Sequence, residues 1–220
     1  MNVALISMDG ITSPDTAARF ATTKLTRRVE GVSDDEDAQL MLAYAGGEMR
    51  AFENLYSRHR GALYRYLMRQ ARDTEIANDL FQEVWSRVIA NRTRYEPRAK
   101  FRTFLFTLAH NCFIDHCRRM KSRPHGLGIE DADAADLLPA DEDARPEAVL
   151  QRSESSARFR AALATLPQEQ LDVYLLHEES ELSLEEIARV TGVGAETAKS
   201  RLRYAVGKLK AAMAAAEGLT

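Results

Sequence analysis

Apolar residues recur at intervals of three and four along most of this chain, which is the spacing of one face of an α-helix. Nowhere do apolar and polar residues alternate long enough to predict a strand. A clear example is the third helical stretch, whose apolar positions are Ile76, Leu80, Phe81, Val84, Trp85 and Val88. We therefore predict an all-α protein.

Helix-capping signals divide the first half into four helices. Ser33 and Glu36 have the spacing of a capping box for a short helix that ends at Gly46-Gly47. A long helix is predicted over 48–71, and Asp73 is the predicted N-cap of the next helix. After a loop over 91–100 that contains Pro97, a fourth helix is predicted from about 102 to 119.

Composition divides the chain into two small helical domains joined by an acidic flexible linker. Residues 125–150 contain eight acidic residues and a single arginine, with two prolines and no aromatic residue. The first 32 residues show no sustained period and predict a disordered tail. Helix resumes by 148, and Pro167 begins a further helix. The predicted boundaries are 1–32 for the tail, 33–123 for the first domain, 124–150 for the linker and 151–215 for the second domain.

A helix-turn-helix is predicted at 183–209. Ser183 and Glu186 form a capping box for its first helix, and Gly192 and Gly194 permit a tight turn. A second helix from Ala195 has one apolar face; its polar face carries Glu196, Thr197, Lys199, Ser200, Arg201, Arg203, Tyr204 and Lys208. The alternative is an ordinary helical hairpin with a solvated face. Polar residues cluster at the end that reaches base edges in such motifs, which favours DNA binding.

Bulk properties narrow the class of protein. A formal net charge of −3 gives no sign of a nucleic-acid partner, so any such partner must be read from the local distribution of charge. No apolar run approaches the ~20 residues that span a bilayer, so we expect no membrane insertion. Two cysteines without a secretion signal indicate a soluble, cytoplasmic protein with no disulfide framework.

A second basic region lies between 91 and 123, with nine basic residues against two acidic ones. Aromatic residues are interspersed with these cations, and such mixtures suit single-stranded nucleic acid. The alternative is that the phenylalanines are core and only the cations are exposed. We favour the core interpretation for Phe104 and Phe113, whereas Phe101, beside the Pro97 loop, stays open.

Enzymatic chemistry finds little support. No phosphate-binding loop, dinucleotide fingerprint, nucleophile elbow or zinc-protease motif occurs, so no catalytic residue and no cofactor are predicted. His110, Cys112, His116 and Cys117 lie close in sequence but point in several directions around one helix, so no metal site is predicted. Both cysteines lie in an apolar helix and are expected to be inert packing.

Three segments carry a resemblance to a known family: DLFQEVW at 79–85, KFRTFLFTLAHNCFIDHCRR at 100–119, and the helix-turn-helix that ends KSRLRYAVGKL. In this order around an acidic linker, they resemble a bacterial RNA polymerase sigma factor of the extracytoplasmic-function (ECF) group. The resemblance covers about 34–212. It implies a sigma factor, not an enzyme, that binds core RNA polymerase, recognises the minus-thirty-five and minus-ten promoter elements and assists promoter melting.

The resemblance also implies which surfaces bind polymerase. The DLFQEVW helix resembles the surface that contacts the clamp helices of the largest subunit, and the implied contacts are Asp79, Leu80, Gln82, Glu83 and Trp85, with Leu80 and Trp85 partly core. The preceding run, Ile76-Ala77-Asn78, is less acidic than is usual in the family. The second domain would contact the flap of the second-largest subunit, and the linker would pass near the nascent RNA.

Two sets of DNA contacts are implied. The loop from Pro97 to Phe101 resembles the element that captures a flipped base. On the following helix, the positions N-x-x-x-D-x-x-R-R resemble those that face the opening duplex. The implied minus-ten contacts are Arg98, Lys100, Phe101, Arg102, Asn111, Asp115, Arg118 and Arg119. The minus-thirty-five set lies on the helix-turn-helix and comprises Glu196, Thr197, Lys199, Ser200, Arg201, Arg203 and Tyr204. An anti-sigma factor is a further partner that the family suggests. The rival classes are a regulator with a sensory domain and a helical interaction module.

Overall fold

The computed structural model describes residues 35–122 and 156–217, and within these ranges the regular structure is helical without a strand. The first range contains α1 (Glu36–Ala45), α2 (Met49–Ala71), α3 (Thr74–Ala90), a short 3-10 turn (Arg92–Arg94) and α4 (Phe101–Ser122). The second contains α5 (156–164), α6 (Gln168–Ser180), α7 (Leu184–Thr191) and α8 (Ala195–Glu217). The all-α prediction is confirmed. The predicted tail and linker lie outside the described residues, and the predicted boundaries stay predictions.

Local capping explains where several helices begin. The Ile76 N–H donates to the Asp73 carboxylate at 2.9 Å, so the predicted cap of α3 is confirmed. The capping box of Ser183 and Glu186 is also present at the start of α7. The start of α1 differs from the prediction, because its N-cap is Asp35. Aspartate caps a helix as well as serine does, so sequence spacing alone could not choose between them.

The first domain is held by apolar side chains that α1 to α4 turn toward one another. Burying each such side chain contributes about 1.5–3 kcal/mol. Aromatic rings extend this core, with the Phe52 and Trp85 rings edge to face at 5.8 Å. The fully buried large side chains include Met41, Leu55, Leu63, Tyr66, Leu67, Phe101, Leu105 and Phe106.

The second domain packs α6, α7 and α8 around a smaller core. Ala198, Ala205 and Leu209 are buried as the helical spacing of α8 predicted, whereas Leu202 is only partly buried. The other core side chains include Leu166, Leu171, Val173, Leu175, Leu176, Ile187 and Val190. In the ranges that the structure describes, every helix is too short or too polar to span a bilayer.

The two domains pack directly on each other, with α2 against α6 and α4 against α7. At the centre lies Asp172 of α6, which is 6% exposed. Its Oδ1 accepts hydrogen bonds from the Tyr66 hydroxyl at 2.7 Å and from Gln70 Nε2 at 2.6 Å. His110 Nδ1 lies 2.9 Å from Oδ2 but without hydrogen-bond geometry. Burial, with the nearby Asp172 charge, raises the pKa of Tyr66 well above its ordinary value, so the hydroxyl stays a donor.

Ion pairs surround this central carboxylate. Glu179, 8% exposed, accepts a hydrogen bond from Arg65 Nε at 2.7 Å and also pairs with Arg69. At the other edge, the Thr103 hydroxyl donates to Glu186 at 3.1 Å, and Arg102 pairs with Glu181. The interface between the domains is therefore built around carboxylates of the second domain and polar donors of the first.

Asp172→Ala should lower the free energy of unfolding by about 2–4 kcal/mol, because the Tyr66 hydroxyl and the Gln70 amide would be left buried without their acceptor. Urea unfolding followed by circular dichroism measures this loss. Glu169→Ala, an exposed carboxylate on the same helix, is the matched control and should cost less than about 1 kcal/mol. Equal losses in the two variants would contradict a special role for the buried carboxylate.

Candidate nucleic-acid interface

The helix-turn-helix consists of α7, a turn at Gly192 and α8. Gly192 has φ +70°, a left-handed conformation that glycine adopts without strain. The Val193 N–H then donates to the Ala188 carbonyl at 3.0 Å and closes the turn. The buried side of α7 and α8 fixes the orientation of the second helix, so its opposite side is presented to solvent.

The predicted minus-thirty-five residues lie on that outward side. Five are exposed: Glu196, Thr197, Lys199, Arg203 and Tyr204. Ser200 and Arg201 are half-buried. The Arg203 guanidinium lies over the Tyr204 ring at 5.2 Å, and Lys199 lies 3.8 Å from Glu196. Because these exposed pairs are weak, the cations can exchange them for phosphate contacts.

The predicted minus-ten residues divide into two groups. One group lies on a single side of α4, where Asn111 and Asp115 are half-buried and Arg118 and Arg119 are exposed. Arg118 lies 3.5 Å from Asp115, and Arg119 lies 3.7 Å from Glu83 of α3. Spacings of four, seven and eight residues place all of these on one helical face.

The other group lies in the loop before α4 and at its first turn. Arg98 is exposed and pairs with Glu96 through a 2.8 Å hydrogen bond. Lys100 lies 3.6 Å from Glu186, and Arg102 pairs with Glu181. The hydrogen bond from Arg102 lowers the pKa of Glu181 below its ordinary value, so this carboxylate stays charged. Two of the predicted DNA-binding cations, Lys100 and Arg102, are thus paired with carboxylates of the second domain.

The burial of Phe101 does not suit the direct minus-ten DNA contact that the family resemblance implies. Its side chain is 0% exposed, and its ring packs against those of His59, Tyr95 and Phe104 at centroid distances of 5.3, 6.3 and 6.1 Å. A direct contact between Phe101 and a DNA base is therefore incompatible with this arrangement. The core interpretation holds for Phe113, which is 5% exposed, and Phe104 is partly buried against the same core.

The predicted polymerase surface on α3 is narrower than the sequence suggested. Asp79 and Gln82 are exposed, and half-buried Glu83 pairs with Arg87 and with Arg119. Leu80 and Trp85 are 2% and 5% exposed, so both belong to the core. Of the five residues predicted to contact polymerase, Asp79 and Gln82 are therefore the ones whose side chains are exposed on α3.

A polar cavity of about 260 Å³ is lined by residues from the start of α1, the start of α4 and the second domain. Its lining comprises Asp35, Asp37, Lys100, Arg102, Glu181, Leu182 and Glu186. Sequence reasoning missed the role of Asp35 and Asp37 here, as it missed Asp172 and Glu179 at the domain interface. No local spacing signals these residues, because their partners lie far away in sequence.

The described residues give no support to metal or thiol chemistry. Within 35–122 and 156–217, no cluster of His, Cys, Asp and Glu could hold a metal ion. Cys112 is 0% exposed, and burial raises the pKa of its thiol to about 12. Burial also raises the pKa of the partly buried Cys117 thiol.

Comparison with protein families gives two matches in chain order. The family model for Sigma-70 region 2 matches residues 55–123, and that for Sigma-70 region 4 matches residues 156–209. The first covers α3, the basic loop and α4, and the second covers the helix-turn-helix. Both candidate DNA-binding surfaces therefore lie inside matched segments.

Several curated proteins are similar over most of their length. The RNA polymerase sigma factor YlaC of Bacillus subtilis is 29% identical over 73% of this chain and 90% of its own length. The ECF sigma factor EcfG of Rhodopseudomonas palustris is 33% identical over 61% of this chain and 70% of its own length. The ECF sigma factor SigC of Mycobacterium tuberculosis is 30% identical over 79% and 89%, respectively.

Two solved structures share the fold. CnrH, in complex with the cytosolic domain of CnrY, matches with a TM-score of 0.60 at 24% identity, over 82% of this chain and 99% of CnrH. The sigma factor RpoE of Bartonella quintana, in complex with the anti-sigma factor NepR, matches with a TM-score of 0.55 at 21% identity, over 74% and 96%.

We expect the Cys112 thiol to resist a disulfide reagent such as Ellman's reagent at pH 8, because its raised pKa leaves almost no thiolate at that pH. Cys117 should also react more slowly than a free thiol. Both thiols should react at full rate in a denaturant, which serves as the internal control. Rapid reaction of two thiols in the folded protein would contradict the buried placement of Cys112.

Proposed function

This chain belongs to the sigma-70 family of RNA polymerase sigma factors, in the ECF group, and from that premise we propose how its residues divide the work of transcription initiation. Sigma factors bind core RNA polymerase and promoter DNA, and they are initiation factors rather than enzymes. The observation that carries our assignment is that two helices present cations to solvent: α8 through Lys199 and Arg203, and α4 through Arg118 and Arg119.

The second domain reads the minus-thirty-five element through the N-terminal part of α8. Lys199 and Arg203 are exposed cations that suit phosphates or guanines, and exposed Glu196 can accept a hydrogen bond from a cytosine amino group. Thr197 and Tyr204 supply further exposed polar groups, and half-buried Ser200 and Arg201 lie at the margin. The same domain would contact the flap of the second-largest polymerase subunit.

The first domain opens and holds the minus-ten element. Asn111, Asp115, Arg118 and Arg119 form a continuous face on α4 that can follow the separating strands. The loop at 97–101 lies beside the start of α4 and would hold the extruded base, with backbone and exposed cations as the contacting groups. Phe101 supports this loop from the core, since its ring has no exposed face.

DNA binding by the loop must displace carboxylates of the second domain. Lys100 and Arg102 face Glu186 and Glu181 across the domain interface. A phosphate and a carboxylate compete for the same cation, so the minus-ten strand and these glutamates cannot use Lys100 and Arg102 together. Separation of the domains at this edge is therefore part of promoter engagement.

The remaining partners follow from the exposed part of α3 and from the matched structures. Asp79 and Gln82 would contact the clamp helices of the largest polymerase subunit, with Glu83 held in place by Arg87. Because the matched RpoE is bound to the anti-sigma factor NepR, we expect an anti-sigma factor for this protein as well. We expect this protein to act in the cytoplasm, where bacterial RNA polymerase initiates transcription.

The test begins with holoenzyme, reconstituted from bacterial core polymerase and the full chain. Its preferred promoter is selected from a DNA library randomised around two spaced elements. Holoenzyme with the double change Lys199→Ala and Arg203→Ala should bind the selected duplex about tenfold or more weakly, and the slope of affinity against salt should fall by about two.

Lys210→Ala is the matched control, since it removes an exposed cation from the same helix beyond the helix-turn-helix. This control should bind the selected duplex within about twofold of wild type. Unchanged affinity in the double variant would refute the proposed DNA-reading face, and failure of wild-type holoenzyme to select any duplex would refute the proposed function.

A further inference from the structure

Two helices of the first domain begin at the same carboxylate. Asp35 is the N-cap of α1, where its Oδ1 accepts from the Asp37 N–H at 3.3 Å. Its Oδ2 accepts from the Phe101 N–H, at the first residue of α4, at 2.7 Å. The first N–H groups of a helix have no partner within the helix, so each oxygen satisfies one otherwise unpaired donor. One side chain thus caps helices that begin 65 residues apart.

Neighbouring groups hold the same junction. Asp37 Oδ2 lies 2.8 Å from Nε2 of the buried His59, and Asp37 Oδ1 accepts from Arg58 at 2.8 Å. Burial lowers the pKa of His59 below its ordinary value, although the Asp37 charge opposes that shift. The His59 ring in turn packs against Phe101 at 5.3 Å. The start of α1 therefore fixes both the backbone and the ring of Phe101.

Phe101 is where the loop at 97–101 ends, so whatever fixes its backbone also fixes the C-terminal end of that loop. The other restraints on the loop come from exposed side chains and from its neighbours: Lys100 lies 3.6 Å from Glu186, and the Arg98 N–H donates to the carbonyl of the preceding Glu96 at 2.8 Å. A base-holding loop must be rigid before it binds, because ordering it on binding would reduce affinity.

We propose that Asp35 is a positioning residue for the minus-ten element: its carboxylate ties the start of α1 to the start of α4 and thereby presets the loop that holds the extruded base. This inference rests on the proposed function of that loop. Asp35 lies outside the segments that match the sigma-70 models, which cover 55–123 and 156–209. The role thus belongs to a residue that the family match does not include.

The bridging role makes a specific demand on the side chain. Asparagine caps a single helix as well as aspartate does, but it has only one acceptor oxygen. Asp35→Asn can therefore keep one cap and must lose the other, with an NH₂ group facing a backbone N–H. Asp73 provides the matched control in the same domain, since it accepts from one described backbone donor, Ile76 N–H, and caps α3 alone. Asp73→Asn should be tolerated.

The experiment compares Asp35→Asn and Asp73→Asn in holoenzyme made with the full chain. The probe is the selected promoter fragment, with 2-aminopurine in the minus-ten strand to report unstacking when the strand opens. Asp35→Asn should reduce the equilibrium constant for strand opening about five- to tenfold, the effect of losing one helix cap. Binding of core polymerase and of a duplex that carries only the upstream element should be within twofold of wild type.

Each outcome decides the question. Selective loss of strand opening in Asp35→Asn, with normal opening in Asp73→Asn, supports the proposal. Normal opening in Asp35→Asn overturns it, and so does an equal loss in both variants, which would indicate a general cost of altering a cap. Loss of polymerase binding by Asp35→Asn also overturns it, because the effect would then be one of folding. If the wild type fails to open the fragment, the proposed function of the loop fails with it.

Discussion

The buried carboxylate of Asp172 is the constraint on which the arrangement of the two domains depends. A charge removed from water is costly unless donors replace its hydration, and here Tyr66 and Gln70 of α2 provide them. Both donors are themselves buried. Separating α6 from α2 would therefore leave the Asp172 carboxylate and both donors without their hydrogen-bond partners. This mutual requirement sets the register of α6 on α2. Once it is set, Glu179 reaches Arg65 and Arg69, and Glu186 reaches Thr103.

The domain interface consequently has buried hydrogen bonds at its centre and partly exposed ion pairs at its edge. Asp172 and Glu179 are nearly inaccessible to water, whereas Glu181 is 77% exposed and Lys100 is 59% exposed at the side chain. Each edge pair has one partner that is largely exposed to water, which screens the pair and makes it easier to open than the central contacts. That edge also contains the cations assigned to the minus-ten strand. A phosphate can therefore compete for Lys100 and Arg102 first, while complete separation requires new partners for the central groups.

The sequence predicted those features whose interacting residues lie within one or two helical turns of each other. The cap at Asp73, the capping box of Ser183 and Glu186, and the left-handed turn at Gly192 are local, and each was readable from residue type and spacing. It failed where the deciding partner is remote. The N-cap of α1 is Asp35 and not the predicted Ser33, and the Asp35 carboxylate also accepts from the Phe101 N–H, 66 positions away. Phe101 looked open because it borders a polar loop, yet His59 and Tyr95 enclose its ring.

The same remoteness explains why the net charge of the chain gives no sign of the candidate DNA-binding surfaces. Acidic and basic residues number 33 and 30, which is close to balance. In the folded chain many of the carboxylates are already committed: Asp35 and Asp73 to helix starts, and Asp172, Glu179 and Glu186 to the domain interface. By contrast, Arg118 and Arg119 of α4 and Lys199 and Arg203 of α8 face solvent. The potential that DNA meets is thus set by which charges the fold has paired, and the sum over the sequence cannot report it.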